Sequence, residues 1–209
     1  MNDYVKSDLY RYSGSTSIGA FAREYLKNAA FRWQVAFRLA NLEGMAGVVG
    51  KMLWFVNASR RKGRIQIPRK VRIGYGLYIG HGGPVIVNET ATIGDNCNLS
   101  QFVTIGSNSG HAAAIGNGVY IGPNVCVVEN VVIGDNVTVG AGSVVTKSLP
   151  KNATAAGNYA KVLNYNNPGR FIVRRWGEGG IIDNSLSHGD SEGLFPDSFC
   201  EEGAGRNGR

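Results

Sequence analysis

Histidine is the side chain best suited to taking and returning a proton near neutral pH, and this sequence of 209 residues contains only three. His81 lies in the glycine-rich segment 79–86, and His111 lies in a second irregular segment, 107–114. His188 lies much nearer the carboxyl end. Isolated histidines are often only solvated surface groups, so the elements around them must decide whether they do chemistry.

The middle of the chain repeats an aliphatic residue every six positions. A small or apolar residue follows four positions later in most repeats, and glycine often comes directly after the aliphatic one. A helix has a period of 3.6 and a strand a period of two, so neither explains this spacing. The thirteen aliphatic positions are Ile67, Ile73, Ile79, Val87, Ile93, Leu99, Ile105, Ile115, Ile121, Val127, Ile133, Val139 and Val145.

Short strands that bend every six residues do explain it. The aliphatic side chain fills the inside of a triangular prism, and the following residues turn its corner. Such repeats must stack to bury a core, and three per turn make a little over four coils, about 20 Å tall at about 4.8 Å between strands. The sequence therefore predicts a mainly β fold, a parallel β-helix, preceded by an α-helical region.

The repeat is broken twice, and each break contains a histidine. Ile79 to Val87 spans eight residues and Ile105 to Ile115 spans ten, so two and four residues are inserted. Counting hexads places the breaks at adjacent corners of the prism, about one coil apart. These corners point away from each other, so they share a site only if another copy of the chain supplies one of them. We therefore predict a homotrimer with sites between subunits.

Composition limits the remaining possibilities. We expect a helical region over 1–63, the β-helix over 64–163 and a mobile extension over 164–209, rich in Gly, Ser, Asp and Glu. Three cysteines without a CxxC pair favour a reducing compartment, and no signal peptide or bilayer-spanning run is visible. A cytoplasmic protein of bacterial type, at most bound at the inner membrane face, is expected.

The net charge is +7, and much of it falls in a basic run over 60–72. Basic runs are usually solvated, and no aromatic stacking motif accompanies this one, so nucleic acid is not expected as a partner. An anionic membrane or a polyanionic glycan is the candidate contact for the run.

Specific motifs carry a family resemblance over about residues 64 to 163. They include Ile79-Gly80-His81-Gly82, Val103-Thr104-Ile105-Gly106 and Val139-Gly140-Ala141-Gly142-Ser143. Here the chain resembles the hexapeptide-repeat serine acetyltransferases and, more closely, the colanic-acid and capsule O-acetyltransferases. The resemblance implies a left-handed β-helix that transfers acetyl from acetyl-CoA to a hydroxyl, with no metal.

Residue roles follow from the same resemblance. His81 would be the general base, and His111 would contact the acceptor from the adjacent subunit. Gln66, Gly80 and Gly82 would orient His81 or bind the acceptor. The acetyl-CoA positions would be Gly106, Pro123 and Ala141 along the pantetheine arm, with Lys147 and Lys161 facing the nucleotide phosphates. Ordinary coil corners and solvated lysines are the alternative explanation for these five.

Two departures from the serine acetyltransferase pattern indicate the acceptor. The aspartate that precedes the first histidine in that family is Gly80 here, and an orienting aspartate one coil earlier is Gln66. Gln66 can hydrogen-bond His81 without ionising. Serine needs a carboxylate for its ammonium group, whereas a sugar hydroxyl does not, so we expect a saccharide acceptor.

Three alternatives remain. Serine O-acetylation, as in cysteine biosynthesis, is the first. A zinc enzyme on the same prism would need three histidine ligands, and His188 lies outside the repeats. A non-catalytic scaffold would be expected to have an unbroken repeat.

Overall fold

The computed structural model describes residues 1–60 and 64–177. Four helices come first: α1 (Asp3–Ser13), α2 (Ile18–Lys27), α3 (Ala29–Ala40) and α4 (Gly44–Arg60). The helical region expected over 1–63 is interrupted at Asn28, between α2 and α3. The Asn28 side chain accepts hydrogen bonds from the N–H groups of Ala30 and Phe31, so it caps α3 where α2 ends. No helix in the described residues combines the length and the apolarity that a bilayer crossing requires.

Fifteen short strands follow within residues 64–177, and they form three sheets. Face A contains β1 (Ile65–Gln66), β4 (Val85–Val87), β7 (Val103–Gly106), β10 (Cys126–Val128) and β13 (Val144–Val145). Face B contains β2 (Arg72–Ile73), β5 (Thr92–Ile93), β8 (Ala114–Ile115) and β11 (Val132–Ile133). Face C contains β3 (Tyr78–Ile79), β6 (Asn98–Leu99), β9 (Tyr120–Ile121), β12 (Thr138–Val139), β14 (Thr154–Ala156) and β15 (Lys161–Asn164).

The strands wind in coils of three. In the β1–β13 region each strand pairs in parallel with the strand three places along the chain, as β3 does with β6 and β6 with β9. Only β15, paired with β14, is antiparallel. The predicted mainly β fold, a parallel β-helix of the left-handed type after a helical region, is confirmed.

The interior is the aliphatic column that the six-residue spacing predicts. On face C, Ile79, Leu99, Ile121 and Val139 lie in register above one another and are almost fully buried. Each such burial contributes about 1.5–3 kcal/mol. Cys97 is also in this core, and burial raises the pKa of its thiol to about 12. A thiol with that pKa is not a nucleophile at neutral pH.

The three edges of the prism are named by the faces they join. The first corner leads from face C to face A, the second from face A to face B, and the third from face B to face C. The third corner is covered by the chain itself. The Arg11 guanidinium donates to the Gly76 carbonyl (2.9 Å) and to Asn98 (2.6 Å), and the N–H of Trp176 donates to Asn96 (2.7 Å). Part of the extension that we expected to be mobile thus packs here, while residues 178–209 lie outside the described residues.

A buried ion pair joins the helices to the first coil. Arg38 donates to both carboxylate oxygens of Asp8 (2.9 and 3.0 Å) and to the carbonyls of Ile73 and Gly74, and Asp8 accepts from the N–H of Leu77 (2.8 Å). Burial raises the pKa of the Asp8 carboxyl, and the Arg38 guanidinium opposes that rise. The pair therefore ties α1, α3 and the start of the β-helix together.

Replacing Asp8 with Ala should lower the free energy of unfolding by roughly 3–5 kcal/mol, because the buried Arg38 loses its counter-charge. Chemical denaturation measures this. The matched control is Lys6→Ala, which removes the partly exposed Lys6–Asp3 pair and should cost less than about 1 kcal/mol. Equal effects of the two changes would contradict the clamping role of Asp8.

Candidate active site

His81 is exposed at the first corner, in a turn that differs from the others there. β3 ends at Ile79, and the N–H of the buried Gly80 donates to the carbonyl of Leu99 (3.0 Å). His81 (φ 60°) and Gly82 (φ 55°) then both adopt the left-handed backbone conformation. For a residue other than glycine this conformation costs about 1–3 kcal/mol, and such strain often accompanies function.

The regular turns of the first corner have one left-handed residue each. In successive coils it is Phe102, Asn124 or Gly142, three positions after the buried aliphatic residue. Gly82 occupies that position in the first turn. His81 is therefore an additional left-handed residue that the regular turns lack. It belongs to the two-residue insertion between Ile79 and Val87.

Two helical side chains hold the strand that leads to His81. The Tyr12 hydroxyl accepts a hydrogen bond from the N–H of Ile79 (3.0 Å) and donates one to Oε1 of Gln34 (2.5 Å). Nε2 of Gln34 in turn donates to the carbonyl of Leu77 (2.8 Å). Burial raises the pKa of Tyr12 well above its ordinary value, so the hydroxyl stays protonated. Sequence analysis missed both residues, because no periodicity marks a polar group in a helix that faces a strand.

The first corner collects six of the predicted residues: Gly80, His81, Gly82, Pro123, Ala141 and Lys161. Above His81, the Asn124 N–H donates to the carbonyl of Gln101, and the Gly142 N–H donates to that of Pro123, so these turns stack directly. Pro123 is half-buried and Ala141 is exposed. Lys161 pairs with Ala156 at the end of β14, which places this exposed lysine at the top of the same corner.

Gln101 is a further polar group on this corner that sequence analysis missed. It lies one coil above the His81 turn, and its Oε1 is buried without a hydrogen-bond partner among the described residues. Its Cβ is so close to Gly83 that a side chain at position 83 would meet it at 2.6 Å. A buried acceptor without a partner is uncommon in folded proteins, which singles out this position on the corner.

The second corner holds the other histidine. Gly106 ends β7, the loop 107–113 follows, and His111 is exposed on that loop. Lys147 is exposed on the same corner, after β13. The structure thus divides the predicted residues into a first-corner group around His81 and a second-corner group around His111.

Glu129 organises the His111 loop from the coil above. Its carboxylate accepts from the Ser107 hydroxyl (2.8 Å) and from the N–H groups of Asn108 (3.1 Å) and Ser109 (3.2 Å), and the Ser109 hydroxyl also donates to it. These hydrogen bonds lower the pKa of Glu129 to about 2, those from Ser109 and Ser107 most strongly. The contacts are fully present above the ordinary pKa of 4.5 and are lost only as the pH falls through about 2.

The two histidines lie at opposite edges of face A. His81 precedes β4, whereas His111 follows β7, the strand paired with β4. One side of the prism is about six residues, or roughly 20 Å, wide. No hydrogen bond joins the histidines to each other within the described residues, and none joins Gln66 to His81. The bond expected from Gln66 is therefore not made in the protomer, because Gln66 lies in β1, on face A, opposite Ile86.

Gly80 has room for a Cβ. A Cβ built there meets only Cε1 of Tyr78, at 3.6 Å, which is an ordinary van der Waals contact. Its φ lies outside the left-handed region. The backbone therefore does not require glycine at this position.

Comparison with known proteins agrees with this geometry. Residues 112–147 match the family model "bacterial transferase hexapeptide (six repeats)", which confirms the predicted hexapeptide repeat there. A serine acetyltransferase from Synechococcus elongatus is 34% identical over 138 residues, 64% of this chain and 50% of that protein. The chain spans half or less of the first curated relatives that it matches.

Solved structures give the same result. The soybean serine acetyltransferase apoenzyme superposes with a TM-score of 0.61 and 28% identity, covering 77% of this chain and 67% of that one. The serine acetyltransferase of Neisseria gonorrhoeae in complex with serine has a TM-score of 0.58 and 28% identity, covering 76% and 67%. The helical lead and the β-helix therefore resemble these proteins together.

These relatives contradict the predicted saccharide acceptor and agree better with the alternative, serine. They do not support the closer resemblance to polysaccharide acetyltransferases either. The prediction relied on the two missing carboxylates, at Gly80 and Gln66. A Cβ fits beside Gly80, so the backbone there does not exclude a side chain, and a missing side chain adds no contact for a sugar.

Glu129→Ala should loosen the His111 loop, since Asn108 and Ser109 lose their acceptor. We expect the exchange of these two amide hydrogens with solvent to accelerate about tenfold or more. The matched control is Glu89→Ala. Glu89 lies on the same corner, one coil below the His111 loop, and its carboxylate makes only a 4.0 Å contact with Lys70. Unchanged exchange in Glu129→Ala would show that the loop does not depend on Glu129.

Proposed function

We propose that the chain transfers acetyl from acetyl-CoA to the hydroxyl of serine. The observation that carries the proposal is that the two insertions in an otherwise regular repeat put an exposed histidine, His81 or His111, on each of two neighbouring corners of the prism. The serine acetyltransferases that it resembles supply the reaction and the acceptor.

His81 would act as the general base. It takes the proton of the serine hydroxyl as that oxygen attacks the thioester carbonyl carbon. The new C–O bond forms, the C–S bond breaks, and the departing CoA thiolate takes the proton back from His81. Positioned proton transfer of this kind contributes about 10²–10⁴-fold.

The His81 turn also offers donors for the oxyanion. The N–H groups of His81, Gly82 and Gly83 make no hydrogen bond in the part of the chain that the structure describes. Donors of this type, fixed in place before the reaction, stabilise the negative charge that develops on the carbonyl oxygen. The left-handed backbone at positions 81 and 82 supports this role, because it keeps these groups out of the regular hydrogen-bond ladder.

Acetyl-CoA would lie along a corner. Pro123 and Ala141 stack above His81, so their turns suit the pantetheine arm, and Lys161 at the top suits a phosphate. Gly106 and Lys147 would face the cofactor from the second corner. Both lysines are exposed and free of acidic partners among the described residues, as phosphate-binding groups should be.

A homotrimer would complete the site. Face C and the third corner are covered by the chain's own residues, since Arg11 and the carbonyl of Phe171 both bond to Asn98, and Phe171 packs on Tyr120. Face A instead presents a partly apolar outward column, Gln66, Ile86, Thr104, Cys126 and Val144. A three-fold arrangement would place the first corner of one protomer against the second corner of the next.

The function is tested with two single variants and their mixture. His81→Ala should lower kcat at least about 10²-fold and leave CoA affinity nearly intact. His111→Ala should mainly raise KM for serine, because His111 binds the acceptor. Remixed subunits of the two variants should regain activity, since some interfaces pair an intact His81 with an intact His111.

Glu89→Ala again serves as the control and should keep wild-type kinetics. Near-wild-type turnover by His81→Ala would overturn the mechanism. If the activity of the mixture does not exceed the sum of the activities of the two variants, only the site shared between subunits is overturned.

Gly80→Asp tests the acceptor. A Cβ fits beside Gly80 without a clash, and the carboxylate of the aspartate would pair with the ammonium group of serine, so KM for serine should fall about tenfold. Gly80→Ala is the control and should leave KM unchanged, because it adds the Cβ without the charge. If both variants fold normally and have the same KM, serine does not bind beside position 80.

A further inference from the structure

Helix α4 packs closely, through two glycines, on the end of α3 and on the turn that joins the two helices. A Cβ at Gly47 would lie 2.0 Å from the carbonyl oxygen of Leu42, and a Cβ at Gly50 would lie 2.3 Å from the carbonyl carbon of Leu39. Both glycines are buried. One side of α4 is therefore tightly seated on the rest of the protein, and this fixes which side faces outward.

The outward side is apolar and uncovered. Met45, Met52 and Phe55 are 77%, 70% and 68% exposed, and Val48 and Val49 between them are about half exposed. Residues at this spacing form one stripe along a helix. The stripe opposes the glycine side, because positions 47 and 50 fall on the other half of the helix circumference.

The stripe belongs to a strongly basic part of the sequence. The chain has no acidic residue between Glu43 and Glu89, and that interval contains eight basic ones: Lys51, Arg60, Arg61, Lys62, Arg64, Arg69, Lys70 and Arg72. Lys51 is exposed on α4 beside the stripe. Arg69 donates to the carbonyl of Ala40 (2.8 Å), which places it where α3 leads into α4, and Arg60 is the last residue of α4. Basic residues therefore lie at both ends of the helix.

We propose that α4 docks on the surface of an anionic lipid bilayer. Its 17 residues make a helix about 25 Å long that would lie in the plane of the interface with the apolar stripe among the acyl chains. The basic residues near it would contact lipid phosphates, and each such contact raises the partition coefficient onto the bilayer about fivefold. A second copy of the chain fits the stripe less well, because it would bring an equally acid-free basic segment against this one.

The test uses the full chain and two kinds of vesicle. Vesicles of equal parts phosphatidylglycerol and phosphatidylcholine should retain the protein in a flotation assay, whereas pure phosphatidylcholine should retain little. Binding should weaken at about 1 M salt, where charges are screened over about 3 Å. Met52→Glu combined with Phe55→Glu should lower partitioning at least about 100-fold, since two buried side chains are lost.

The matched control is Leu163→Glu, which changes a 62% exposed residue of β15 at the other end of the β-helix and should bind vesicles normally. Acetyl transfer to a soluble acceptor should be unchanged in the α4 double variant, so this result is independent of the proposed function. No retention by anionic vesicles would overturn the proposal. A double variant that keeps its lipid binding, or that changes only the oligomeric state in light scattering, would overturn it in favour of a protein partner.

Discussion

The stacking of aliphatic side chains inside the prism constrains everything else in this molecule. Ile79, Leu99 and Ile121 must lie directly above one another, and a shift of one residue in any coil would turn its aliphatic side chain outward. Extra residues can therefore leave the repeat only at a corner, pointing away from the core. The coils above and below then hold the insertion in place. This is why both histidines lie on rigid supports although each is in an irregular segment.

The helices decide which corners remain available. The buried pair of Asp8 and Arg38, together with Arg11, commits the third corner to the protein's own structure. Tyr12 and Gln34 extend the same contact to the strand that ends two residues before His81. The helices thus cover the third corner and also fix the strand that leads into the first corner. The strained backbone conformation of His81 persists because the helix contacts fix the strand before it and the stacked coils fix the turn after it.

The parts of the fold that depend on periodicity were predictable from the sequence. The hexads identified the buried positions, and their two interruptions identified both histidine turns. Periodicity does not reveal what individual polar side chains do, so the cap at Asn28 and the Tyr12–Gln34 clamp were missed, and the bond expected between Gln66 and His81 is not made in the protomer. Glu129 is an intermediate case, because counting one coil onward from Ser107 leads to it. The count gives its height on the prism, but only the structure shows its carboxylate directed at the loop.

The acceptor shows how far an absent side chain can support an inference. Gly80 and Gln66 remove two carboxylates from the pattern of the serine acetyltransferases, and that says only which contacts with serine this chain does not make. An acceptor is recognised by groups that are present. The groups present at the first corner are an exposed histidine, three unpaired N–H groups and the unsatisfied Gln101 oxygen. The histidine and the N–H groups can bind a hydroxyl and a carbonyl oxygen, which are the two groups that acetyl transfer brings together, and neither of them needs the missing carboxylates.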